Sequence, residues 1–289
     1  MGTKEKCLKL RVCFAANPFL ILALGLFFFI PALSVNAFSD EEADSGGELF
    51  PDKPFKDWGL DYKAGAATRT LPFGLSFSGE IGYSKLLWGQ PKESKLYGYL
   101  RPFFRANTSF VINRAQAGLA LFPVSFIGAS WGVYGSHRNV SKLSTLNCDN
   151  LQCGGSLRSV FIRPQVTLGH AGFFGVAIWR WDWITVADTT RPFGEETANL
   201  AGQAGADILG QLDIYLGYTR DSWSGGFLFN SAGMAELGST NQLKAVFVRK
   251  QVEDWKFTAG SGLYRSSTQE AGMAAFLALD WIGLPSLEL

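Results

Sequence analysis

Leu157-Arg-Ser-Val-Phe-Ile-Arg-Pro-Gln-Val-Thr-Leu-Gly-His-Ala-Gly-Phe-Phe-Gly-Val-Ala-Ile-Trp-Arg-Trp-Asp-Trp-Ile-Thr-Val186 is the stretch that decides the fold. In its first arm Val160, Ile162, Pro164, Val166 and Leu168 alternate with Phe161, Arg163, Gln165 and Thr167. Successive side chains of a strand point to opposite faces, so this arm has one apolar face and one mostly polar face. Gly169-His-Ala-Gly172 supplies turn residues. The alternation then resumes, with Trp179, Trp181 and Trp183 on one face and Arg180 and Asp182 on the other.

Each arm runs to about ten residues or more, longer than the five or six usual in soluble sheets. Tilted strands of about nine to eleven residues are what a bilayer requires. Three tryptophans gathered at one end of an apolar face read as an interfacial girdle. The hairpin therefore reads as part of an all-β, antiparallel, up-and-down transmembrane barrel.

Working outward, the same pattern recurs at 73–88, 95–106, 111–122, 124–136, 205–218, 223–234, 242–252, 255–265 and 272–283. Pro123 is read as marking a tight turn. If the last strand ends in the periplasm, the turns at 252–255, 219–222, 169–172, 122–124 and 89–94 fall on the periplasmic side. The long loops at 137–156 and 186–204 then both fall outside. Single-chain bacterial barrels have an even number of strands, short periplasmic turns and longer outer loops. That parity calls for one more strand before Phe73, and Gly59–Thr70 supplies it, for about twelve strands. A ten-stranded barrel and a secreted β-sandwich are the architectural alternatives.

Bulk composition agrees. Net charge is +1, which gives no footprint for a nucleic-acid partner. Charged residues make up 18% of the chain, against the usual quarter or so, with 14% aromatics and 33 glycines.

The N-terminus reads as a secretory signal peptide over residues 1–37. Lys4, Lys6, Lys9 and Arg11 form a basic region, and Phe19–Ile30 is an apolar run of about a dozen residues, short for a membrane span. Val35-Asn-Ala37 is a small-residue cleavage site; a retained anchor is the alternative. Residues 38–58, carrying Asp40, Glu41, Glu42, Asp44, Glu48 and Asp52, read as a flexible periplasmic segment, and 59–289 as the barrel. Cys7 and Cys13 precede the apolar run, so lipidation is not expected. Cys148 and Cys153 sit in a polar outer loop, where a disulfide is expected. A metal site drawing on His137 or Asp149 is the alternative.

Charge on the lipid face costs a few kcal/mol near the midplane, so charged residues are assigned inward. The expected lumen set is Glu80, Arg101, Arg105, Arg114, Gln116, Arg163, Gln165, Arg180, Asp182, Asp207, Gln211, Asp213, Tyr215 and Lys244, with Asn230 and Asp280 beside them. Two readings stand. The arginines early in the barrel could line an anion-leaning pore wall, or the charges could pair into a network that fills the interior.

Catalysis needs a nucleophile and a base, and the chain has only two histidines, His137 and His170. His170 falls in a periplasmic turn. His137 lies at the outer rim, with Ser136 and Ser141 nearby. Outer-membrane lipid hydrolases place His-x-Ser on one strand face, and here Arg138 and Asn139 follow His137, so no enzyme is expected. No cofactor is expected either.

Signal peptide, long alternating strands, aromatic girdle and asymmetric loops together resemble Gram-negative outer-membrane β-barrel proteins. The resemblance covers nearly all of the mature chain at the level of the class, and no motif ties it to one family. It implies a monomer in the outer membrane, with membrane lipids around it. The leading expected function is passage of small hydrophilic solutes. A closed barrel acting through its outer loops and a lipid-modifying enzyme are the alternatives.

Overall fold

The structure is a computed structural model in which residues 58–89, 96–139, 146–195, 197–267 and 270–284 are described. The expected signal peptide, residues 38–57 of the acidic segment, most of the turn at 89–94 and the end of the chain from 285 lie outside them. The chain divides into two units, Met1–Asp44 and Ser45–Leu289, and only the second contains described residues.

Long strands follow one another around a closed antiparallel barrel: β1 (Trp58–Thr70), β2 (Phe73–Gly89), β3 (Tyr97–Thr108), β4 (Ile112–Val124), β5 (Ile127–Arg138), β6 (Gly155–His170) and β7 (Phe173–Val186). Two short strands, β8 (Phe193–Glu195) and β9 (Leu200–Gly202), form a separate hairpin. The wall resumes with β10 (Ala206–Arg220), β11 (Trp223–Met234), β12 (Thr240–Val252), β13 (Trp255–Ser266) and β14 (Gly272–Leu284). β14 pairs with β1, for example Ala64 with Trp281, and closes the barrel at twelve strands. Closure leaves no exposed sheet edge. The ten-stranded and sandwich alternatives are thereby excluded, and the strand inferred from loop parity is β1.

The deciding hairpin is β6–β7. Its strands run on through Gly169 and His170, and only Ala171 and Gly172 form the turn. Both have positive φ, 50° and 83°. That is the turn sense that matches strand twist. A Cβ on Gly172 would also come within 2.7 Å of Tyr218 Cε2 and 2.8 Å of Thr219 O, so glycine is required there twice over.

Two details differ from the sequence reading. Pro123 does not make a turn; it lies within β4, and the turn is at Ser125–Phe126. The β4–β5 register shifts between Leu121 and Val124. A residue without an N–H donor is tolerated where the ladder is already interrupted. The loop after β7 is not featureless either, because it carries β8 and β9.

The outer face is apolar, with Val133, Val160, Leu168, Leu216, Phe227, Val246 and Leu277 among its exposed side chains. Trp181 and Trp183 stand exposed on the outward face of β7, and Trp179 is half-buried on the same face. A second aromatic belt rings the short-turn end, where Phe173 packs on Tyr218 at 4.9 Å and Trp255 on Trp281 at 6.5 Å. Two aromatic belts flanking an apolar band are the outer surface of a membrane barrel. Among the described residues no helix is long and apolar enough to cross a membrane, and the crossing elements are the strands.

Candidate functional site

Strand alternation sets the barrel interior. Residues paired across neighbouring strands share a face, so one inward residue fixes its whole row. By this test Glu80, Arg101, Arg105, Arg114, Gln116, Arg163, Gln165, Arg180, Asp182, Asp207, Gln211, Asp213 and Tyr215 all face inward, as do Asn230 and Asp280. Lys244 does not. It is exposed, paired with Phe229 and Leu263 on the outer face, while Leu243, Ala245 and Phe247 point inward. The assumption that charge must face inward fails there because the middle of β12, Leu243 and Ala245–Val248, is apolar on both faces. Alternation cannot orient such a strand.

One half of the interior, behind β1–β7, is filled. Arg101 on β3 donates from Nε to both carboxylate oxygens of Asp61 on β1, at 3.1 and 2.9 Å. Its Nη2 donates to Glu80 Oε1 at 2.7 Å. Arg105 donates to the other Glu80 oxygen, and Lys63 Nζ lies 3.4 Å from Oε1. Arg180 clasps Asp182 with Nε 2.8 Å from Oδ2 and Nη2 2.9 Å from Oδ1. Aromatic rings stand between these pairs. The Arg114 guanidinium lies 4.4 Å from the Tyr134 ring centre, and that of Arg180 5.0 Å from Phe161. Tyr99 and Phe122 stack at 4.7 Å. Arg101 is 1% exposed. Charges this deep persist only when paired and hydrogen-bonded. Arg101, Arg105, Arg114 and Arg180 are each met by a carboxylate, so this wall is not a bare cationic surface.

The loop between β7 and β10 folds into the barrel mouth at the long-loop end. Glu195, fully buried, accepts from Arg114 Nη2 at 2.8 Å and from the Ala198 N–H at 2.6 Å. Arg138 donates to the carbonyls of Gly154, at 3.2 Å, and Gly194. Asn241 donates to Ala198 O, Ser239 to Ala201 O, and Asn199 to Tyr264 Oη at 3.3 Å. Phe193 and Leu200 are wholly buried against inward Leu157 and Ile184. The hairpin is thus tied to β4, β5, β12 and β13. Cys148 and Cys153 form the expected disulfide in the neighbouring loop, with Cα atoms 5.5 Å apart. That removes the thiolates a metal would need.

The other half is packed in part, with inward Phe247 and Tyr264 buried, and holds a cavity. This cavity of ≈280 Å³ runs from Arg69 and Leu71 near the rim, past Thr197 and Ala198 of the inserted loop, to Asp213, Tyr215 and Asn230 deeper in the barrel. Gln211 and Asn230 both donate to Asp213. Arg69 and Asp213 are the charged side chains that line it.

Sequence reasoning missed Asp61, Arg138 and Glu195. Asp61 lies in the strand with the weakest pattern, and the other two matter only because the loop folds inward. His170 ends β6 at the short-turn end. His137 faces outward near the opposite rim, with Nδ1 3.1 Å from Ser156 Oγ. That serine comes from the facing strand, not from two positions along.

No protein-family model matches the chain, and no curated protein sequence does. Solved structures similar in fold include the NanC porin, at 9% identity over 77% of this chain and 99% of that one, with a TM-score of 0.40. An outer-membrane channel from Pseudomonas putida F1 gives 10%, 81%, 100% and 0.41 on the same measures. The translocator domain of the autotransporter NalP from Neisseria meningitidis gives 8%, 80%, 90% and 0.37. All three are membrane β-barrels, and likeness this distant says nothing of solute or activity.

Proposed function

We propose that the chain is an outer-membrane barrel that passes small hydrophilic solutes through a narrow lumen, constricted at its outer mouth by the β8–β9 hairpin. The observation that carries this reading is the cavity between the inserted loop and the β10–β14 wall, lined by polar and apolar side chains, which reaches from the rim to the barrel's middle. Twelve strands enclose a lumen between the filled eight-stranded barrels and the wide porins. The filled half supplies rigidity, and the cavity on the β10–β14 side supplies the outer part of the path. Arg69 and Asp213 give that path one charge of each sign, which suits polar solutes without strong ion preference. Arg101, Arg105 and Arg114 are each paired with a carboxylate, which weakens their pull on anions.

Liposome swelling tests this directly. Proteoliposomes of the refolded mature chain are expected to swell in small sugars and amino acids and not in larger oligosaccharides. No swelling with any solute, from a barrel shown to be folded by heat-modifiable gel mobility, would favour a closed barrel acting through its outer loops. The many hydrogen bonds that hold the hairpin are what support that second reading.

A further inference from the structure

On the lipid-facing surface five strands carry small side chains in one cross-strand row. Ala64, Gly79, Ala106, Ala115 and Gly135 are each paired directly with the next. The following member of the row is Arg158 on β6. A Cβ on Gly79 would meet nothing within 4 Å, and one on Gly135 only Leu157 O at 4.0 Å. The row is therefore the floor of a trench. The row below it carries Ile81, Phe104, Val133 and Val160, all well exposed. The row above runs from Ala66 to Phe77, which packs against Phe110 at 5.4 Å. Between Phe77 and Arg158 the trench encloses ≈740 Å³. It climbs as it goes: Ala64 lies six residues below the outer end of β1 (64 to 70), and Arg158 only three from that of β6 (155 to 158).

At the upper end of the trench stand Ser156, His137 and Asn113, directly paired across β6, β5 and β4. The His137 ring sits at hydrogen-bond distance from the serine oxygen, 3.1 Å. Asn113, beside His137 on its other flank, is itself held by Thr108 Oγ1 donating to Oδ1 at 2.8 Å. A serine hydroxyl within hydrogen-bond reach of a histidine ring is the nucleophile–base pair of covalent catalysis. It opens onto the mainly apolar trench. Arg158, two residues along the same strand face and about 7 Å away, offers a guanidinium suited to phosphate.

We propose that this outer-rim site hydrolyses acyl esters of phosphate-bearing lipids, with the acyl chain lying in the trench and the phosphate at Arg158. Ser156 Oγ attacks the ester carbonyl while His137 takes its proton. The carbonyl–oxygen bond to the lipid breaks, and His137 returns that proton to the leaving alcohol. The acyl group is left on Ser156. Water, deprotonated by His137, then attacks the acyl-serine; a fatty acid leaves, and the proton on His137 restores the Ser156 hydroxyl. The sum is ester plus water giving acid plus alcohol. Ser156 and His137 are catalytic, and the site is outside the lumen and independent of solute passage.

The test uses the full refolded chain in mixed micelles of palmitoyl-oleoyl phosphatidylglycerol, reading fatty-acid release, and a long-chain fluorophosphonate that labels activated serines. The wild type is expected to release fatty acid and to take the label. Ser156→Ala should abolish both, and His137→Ala should lower the rate by about 10²–10⁴, with unchanged heat-modifiable mobility. Arg158→Ala should raise KM for the anionic lipid more than it lowers kcat. Gly79→Leu should block long-chain substrates while sparing a short-chain ester, since its side chain enters open space. A folded wild type that neither releases fatty acid nor takes the label would overturn the proposal. So would a Ser156→Ala chain that keeps wild-type activity.

Discussion

Arg101 on β3 reaches Asp61 on β1 by passing over Gly82, the residue of β2 that pairs directly with Asp61. A Cβ at Gly82 would collide with the Arg101 guanidinium, so the glycine is the gap through which this ion pair forms. Gly82→Val should therefore act like removal of the arginine. Breaking a buried pair from one side typically costs about 3–5 kcal/mol. Both Gly82→Val and Arg101→Ala are expected to lose that much in urea unfolding followed by tryptophan fluorescence. The double substitution should cost little more than either alone.

Lys244 makes the opposite case. Its ammonium stands on the outer face between Phe229 and Leu263, four residues below the outer end of β12 (240 to 244). Charge on a lipid face costs up to about 4 kcal/mol at the midplane and little near the interface. Lys244→Leu is expected to raise stability by about 1 kcal/mol, measured by the same unfolding curve. A loss of stability would mean that the ammonium is needed at a headgroup.

The Cys148–Cys153 disulfide closes a short loop, with a sequence separation of 5. Chain-entropy reasoning gives a ring this small about 2 kcal/mol, and that is confined to the outer loop. Reduction should leave the barrel's heat-modifiable mobility unchanged. It should speed protease cleavage between residues 139 and 155, read by mass spectrometry.

The wall was legible because a lipid-facing strand writes its alternation plainly. Val160, Ile162 and Leu168 against Arg163 and Gln165 could be oriented on sight, and loop lengths alone demanded β1. The interior was less legible. Inward Phe103, Phe122 and Phe161 break the rule that apolar means outward, because the filled half packs rings between guanidinium groups. The β8–β9 hairpin was illegible for another reason: Glu195 and Arg138 become important only through a loop that folds back on the barrel. Ser156 was missed because its partner, His137, lies across a strand pair separated by a long loop. Register, not local spacing, brings the two together.

In the proposed function the β8–β9 hairpin is the constriction, and the Glu195–Arg114 ion pair is one of the contacts that hold it. Single-channel recording in planar bilayers, comparing the wild type with Glu195→Ala, tests this most directly. The wild type is expected to show small, discrete conductance steps with weak ion selectivity. Freeing the hairpin should enlarge the steps or make them flicker between two levels. Steps of identical size and kinetics in both proteins, or silence from both when folded, would contradict a solute path controlled by this hairpin.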